Sequence, residues 1–170
     1  MMMFAKHAMR SFALVGLLGL SACGYQPLYA TNDDGSSVSQ KLAEVSVAQQ
    51  SDRVSQLVRN EIVSSTRPVG TQAQDRYYLK LQAKGDAQTL IDTQDTVHRR
   101  LAYNLTTKFQ LVDAATSNVV FSGQAFSRVP YDRLDASFAN VQARVNAEEQ
   151  AAKQVGQEVR TRLAAFLATN

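Results

Sequence analysis

The run from Val97 to Val112 constrains this chain more than any other stretch. Leu101, Tyr103, Leu105, Phe109 and Leu111 fall on odd positions, whereas His98, Arg100, Asn104, Thr106, Lys108 and Gln110 fall on even ones. A period of two is the signature of a strand, and a strand that is apolar on one side buries that side alone. The chain must therefore build a sheet with one covered face and one open face.

The neighbouring segments fill in that sheet. Arg76 to Ala83 alternates in the same way, with Tyr77, Leu79, Leu81 and Ala83 on one side and Tyr78, Lys80 and Gln82 on the other. Asp113 to Asn118 is a turn sequence, and Val119 to Val129 returns as a further strand. Gly85-Asp86 is a candidate turn or bulge and Gly123 a candidate bulge, since glycine inside a strand weakens it. Strands joined by short turns run antiparallel. Upstream, Val45 and Val47 alternate with Glu44 and Ser46, which predicts a short first strand over Leu42 to Ala48.

Two helices supply the cover. Val54, Leu57, Val58 and Ile62 are three and four apart and form one stripe. Ser51 or Asp52 can cap that helix, and Pro68 ends it. From Phe138 to Leu167 the chain is rich in alanine and glutamate or glutamine, with Ala151, Val155, Val159 and Leu163 at every fourth position and Phe166 beside them. The predicted order is β-α-β-β-β-α. That is an α+β fold of two layers, an antiparallel four-stranded sheet covered on one face by two helices.

The N-terminus sets the address. Lys6 and Arg10 precede the apolar run from Ser11 to Leu20, and Leu20-Ser-Ala-Cys-Gly24 follows. The run is about half the ~20 residues that a membrane-spanning helix needs, so it reads as a signal for export. Leu-Ser-Ala-Cys resembles the bacterial lipobox. That resemblance implies cleavage before Cys23, with diacylglyceryl on its sulfur and an acyl chain on its new amino terminus. Each buried methylene contributes about 0.8 kcal/mol, and two or more chains anchor stably. The chain then divides into a signal peptide over 1–22, a lipid-anchored tether over 23–40 and one domain over 41–170. Cys23 is the single cysteine, so no disulfide forms within the chain.

Of the 18 basic residues, Lys6 and Arg10 leave with the signal, and 16 remain against 15 acidic ones. A mature charge near +1 does not indicate a nucleic-acid binder. His98 is the only histidine after the signal, and no nucleophile elbow accompanies it. Histidine, cysteine and acidic residues are too sparse or wrongly spaced for zinc or calcium. No catalytic residue, no metal and no cofactor beyond the covalent lipid are expected.

Cys23-Gly-Tyr-Gln-Pro-Leu-Tyr29, Leu57-Val-Arg-Asn-Glu-Ile62, Leu101-Ala-Tyr-Asn-Leu105, Val119-Val-Phe-Ser-Gly123, Tyr131-Asp132 and Phe138-Ala139 come in the order of segments seen in one family. Over nearly the whole mature length the chain resembles the LptE lipoproteins of lipopolysaccharide assembly, especially alphaproteobacterial forms. The resemblance implies a lipoprotein on the periplasmic side of the outer membrane that plugs the LptD β-barrel, assists its assembly and helps pass lipopolysaccharide to the outer leaflet. Other periplasmic classes stand beside it: an auxiliary lipoprotein of a lipid-transport ABC system, or one associated with peptidoglycan or a secretin.

His98-Arg99-Arg100 is the densest basic cluster after the signal, and Lys80 and Lys84 sit on the neighbouring strand or at its end. Lipopolysaccharide carries phosphates, and arginine's fork suits them. Lys80, Lys84, Arg99 and Arg100 are accordingly the candidate phosphate contacts. The alternative is a set of solvated charges that discourage sheets from adding edge to edge. Arg99 and Arg100 alternate, so at most one is central to any one face.

Overall fold

The structure, a computed structural model, describes residues 37–67, 70–71, 73–91, 99–133 and 136–169. The signal peptide, Cys23 and His98 lie outside the described residues, as does all of the tether before Ser37. The elements are α1 (Val38–Ala43), β1 (Val45–Val47), α2 (Arg53–Thr66), β2 (Tyr77–Ile91), β3 (Arg99–Asp113), β4 (Val119–Arg133) and α3 (Ser137–Thr169). The sheet has four strands in the order β1-β2-β3-β4.

The expected class holds, with one change of direction. β2, β3 and β4 form an antiparallel meander, but β1 pairs with β2 in parallel, Val45 opposite Tyr77 and Val47 opposite Leu79. The sheet is mixed, not wholly antiparallel. The reason is the helix between them: α2 carries the chain back along the sheet, so β2 starts at the same end as β1. Arg67 closes that crossover. Its guanidinium donates to Ala43 O at 2.9 Å and Ala73 O at 2.8 Å, and meets Asp75 at 2.7 Å.

The first strand is shorter than Leu42 to Ala48, because a helix precedes it. Ser37 Oγ accepts from Gln40 N, and Gln40 Oε1 accepts from Ser37 N, a reciprocal cap that starts α1. Val38 and Leu42 of this turn-and-a-half are buried in the core. Asp52, rather than Ser51, caps α2, its carboxylate accepting from Ser55 N at 2.9 Å.

β2 also runs on past its expected end. Gly85-Asp86 makes neither turn nor bulge; Gly85 pairs with Leu105, and the register shifts later, between Thr89 and Ile91. Gly123 likewise stays in register opposite Phe109, and the β3–β4 irregularity falls at Leu111/Val112. Aromatic rings of β3 explain both. A Cβ on Gly123 would fall 2.6 Å from Phe109 Cζ, and one on Gly85 would collide with the Tyr103 hydroxyl. The glycines are there so that a ring can lie on the neighbouring backbone.

The core lies between the odd face of the sheet and the helices. Leu79, Leu105, Phe109 and Leu111 meet Val58 and Ile62 of α2, and Ala151, Val155, Val159 and Leu163 of α3, as the helical spacing predicts. Phe166 stacks on Phe121 at 4.8 Å, and Phe121 tilts against Phe109 at 5.8 Å. Ser127 Oγ donates to Gln154 Oε1 at 2.6 Å, a polar tie between β4 and α3. No described helix is long and apolar enough to cross a membrane.

Candidate functional site

The helices leave the even face of the sheet uncovered. The register lays it out in rows across β2, β3 and β4: Tyr78–Val112–Val119, Lys80–Gln110–Ser122, Gln82–Lys108–Gln124, Lys84–Thr106–Phe126, then Asp86–Asn104–Arg128. Lys80, Lys84 and Lys108 are all exposed. Strand geometry puts Lys80 and Lys84 roughly 13 Å apart, with Lys108 about 8 Å from each, one strand over and halfway between. Among the described residues none of the three has a carboxylate partner. They form a triangle of unpaired ammonium groups around Gln82.

A cleft of about 860 Å³ opens beside this triangle where β1 leaves the sheet. Lys80, Gln82, Lys108, Gln110, Ser122 and Gln124 line it, with Ala48, Gln49 and Gln50 as one wall. The lining offers two cations, five side-chain amides and a hydroxyl, and no carboxylate. Such a surface suits an anionic, hydroxyl-rich ligand, because amides both donate and accept while lysine supplies charge. Apolar side chains stand at its borders: Tyr78, Val119 and Phe126 are 46%, 53% and 58% exposed. An amphiphile with an anionic head can satisfy both kinds of group.

The four basic residues expected to act together separate into two places. Lys80 and Lys84 belong to the triangle. Arg100 lies on β3 six residues before Thr106, roughly 20 Å away, and meets Asp132 at 3.8 Å across the strands. An exposed pair of that length adds little stability. Arg99 is the first residue of β3, opposite Arg133. Lys108 was absent from the expected set. Its place on the polar side of the strongest strand is readable in the sequence, but its proximity to Lys80 and Lys84 depends on register.

A group of titratable side chains lies under the other face. Burial pushes the Tyr103 phenol up from its ordinary value, and the nearby Glu148 carboxylate adds to this. Glu148 is itself buried and lies 3.7 Å from Arg144, one turn earlier on α3. Burial raises the Tyr131 phenol too. Among the described residues no group of three histidine, cysteine or acidic side chains is placed to hold a metal.

No family model matches the chain, and no curated protein matches it significantly. Solved structures do. A chain described as a lipoprotein of Caulobacter crescentus CB15 superposes with TM-score 0.62 at 22% identity, covering 78% of this chain and 97% of that one. A minor lipoprotein from Acinetobacter baumannii gives TM-score 0.48 at 11% identity over 72% of this chain and 89% of that one. The rare lipoprotein B of Shewanella oneidensis gives 0.46 at 15% over 74% and 95%. The chain thus shares its fold with the Caulobacter lipoprotein.

Proposed function

We propose that this chain is an outer-membrane lipoprotein, held on the periplasmic side by lipid on Cys23, that plugs an LptD-type β-barrel, assists barrel assembly and helps deliver lipopolysaccharide to the outer leaflet. It performs no catalysis. The observation that carries the reading is the open sheet face, where Lys80, Lys84 and Lys108 stand unpaired beside an amide-lined cleft. A plug needs a hydrophilic outer face to meet a barrel lumen, which is polar in this class of membrane protein. Lipid A and core phosphates are anions beside sugar hydroxyls and acyl chains, which suits lysines, amides and the bordering aromatics. The lipobox-like segment ending at Cys23 and the shared lipoprotein fold support the compartment.

An affinity pull-down of the C-terminally tagged chain from detergent-solubilised outer membrane tests this directly. Recovery of a large barrel of the LptD kind at near-equal amount is expected. Recovery of ABC-transporter components, or retention on peptidoglycan in its place, would overturn it.

A further inference from the structure

The two edges of the sheet are in opposite conditions. On β4, Arg162 Nη1 donates to Gln124 O at 2.6 Å. That carbonyl therefore faces away from β3, and by alternation so do the polar groups of residues 126, 128 and 130. Pro130 is one of these, and it has no N–H to offer. A guanidinium and a proline thus blunt this edge.

β2 is not blunted. Ala48 N donates to Leu79 O at 3.1 Å, which sets the odd residues of β2 outward, and pairing with β1 ends there. Leu81, Ala83, Gly85, Ala87 and Thr89 then turn their N–H and C=O groups to the outside. Among the described residues no other strand meets them. The centre of this free length is Gly85. Ala87 and Thr89, whose side chains point to the helix side, are exposed, and what lies over Gly85 on that side is the Tyr103 ring of β3, not a helix.

The same residue is a centre of self-complementarity. Lay a second copy antiparallel with Gly85 opposite the partner's Gly85. Lys84 then faces the partner's Asp86, and Asp86 the partner's Lys84. Gln82 faces the partner's Gln88, Ala83 the partner's Ala87, and Leu81 the partner's Thr89. Outward residues meet outward residues, as antiparallel hydrogen bonding requires, giving about ten main-chain bonds. Sliding the register by two residues opposes Lys84 to the partner's Lys84 in one direction, and Asp86 to the partner's Asp86 in the other. The length of the free edge and the charge pattern select one register independently.

We infer that the outer edge of β2 pairs with the same edge of a second copy about Gly85, joining two four-stranded sheets into one through paired Lys84–Asp86 contacts. This does not rest on the barrel complex proposed above. Sedimentation velocity of the full chain in detergent across a concentration series tests it. The wild type forms a dimer. Lys84→Asp or Asp86→Lys alone weakens it about tenfold or more, since each puts two like-charge pairs across the strands. The double swap Lys84→Asp/Asp86→Lys restores it. All these positions are exposed, and circular dichroism checks that each variant is folded.

Crosslinking reads the register. Gln82→Cys/Gln88→Cys forms a disulfide dimer on mild oxidation. Gln82→Cys alone does not exceed the wild type with its own Cys23, because position 82 of one copy stands roughly 20 Å from position 82 of the other. A wild type monomeric up to about 100 µM, where even weak specific pairs associate, overturns the inference. So do single swaps that dimerise as tightly as wild type, or a folded double swap that stays monomeric.

Discussion

Asp52 and Asp113 each hold an exposed carboxylate against backbone N–H groups. Asp52 caps α2 through Ser55, and Asp113 accepts from Ala115 N, Thr116 N and Thr116 Oγ1 to fix the β3–β4 turn. These bonds lower both acids from 3.8. An acid lowered on folding contributes stability that is present above its unfolded value and lost as pH falls through the folded one. Thermal melts should therefore weaken below about pH 4, with a shallower fall in Asp52→Asn. At pH 7, Asp52→Ala should cost about 1 kcal/mol in urea titration. Tyr103 acts in the opposite sense. Its raised phenol stabilises below pH ~10 and that contribution is lost as pH rises through the raised value, so Tyr103→Phe should flatten the alkaline limb of the same melts. Gly123→Ala drives a methyl into the buried Phe109 ring, and should cost about 2 kcal/mol by overpacking. On the open face, Lys80→Glu/Lys108→Glu should lower lipopolysaccharide affinity about tenfold or more, measured on immobilised lipid. Unchanged binding would remove the triangle as a phosphate site.

The elements were legible where a period was clean. Leu101 to Leu111 alternates without a break on its apolar side except at Thr107, and β3 follows it; Ala151, Val155, Val159 and Leu163 are all fully buried on α3. What the sequence hid was decided by contacts between distant segments. Gly85 and Gly123 resemble breaks until rings from β3 are laid over them. Val38 resembles the end of a polar tether, and Leu42 the start of a strand, until a short helix carries both into the core. The candidate site was half legible for the same reason: Lys80 and Lys84 share a strand and a phase, whereas Lys108 joins them only through the pairing of β2 with β3. The direction of β1 followed from the α2 crossover, and Arg67 holds that crossover by three contacts to α1's end and the approach to β2. Arg67→Ala should cost about 2 kcal/mol in urea titration, because two carbonyls lose a charged donor. Phe166→Ala, which removes one ring of the Phe121 stack, should cost a similar amount.

At the scale of the whole molecule, the chain enters at one end of a long body. α3 has 33 residues and so runs roughly 50 Å. Thirteen residues lie between Cys23 and Ser37, and the fourteen steps across them reach at most about 50 Å when extended. If Cys23 carries the proposed lipid, anchorage and fold are separable, and Cys23→Ala should release a folded protein from the membrane fraction, detected by fractionation with an unchanged melting curve. The parallel pairing of β1 has a consequence for time as well as shape. β2, β3 and β4 are joined by short connections and α3 folds back on them at once, so their contacts close small loops. β1 is three residues long and meets β2 only after some thirty residues of intervening chain, a larger loop-closure cost for few bonds. The meander with α3 should form first and α1-β1-α2 should dock on it last. Pulse-labelled hydrogen exchange during refolding should then protect the amides of Leu105 and Phe109 before that of Ala48. In an exported chain the segment nearest the lipid would be the first to emerge from the translocation machinery and the last to find its place.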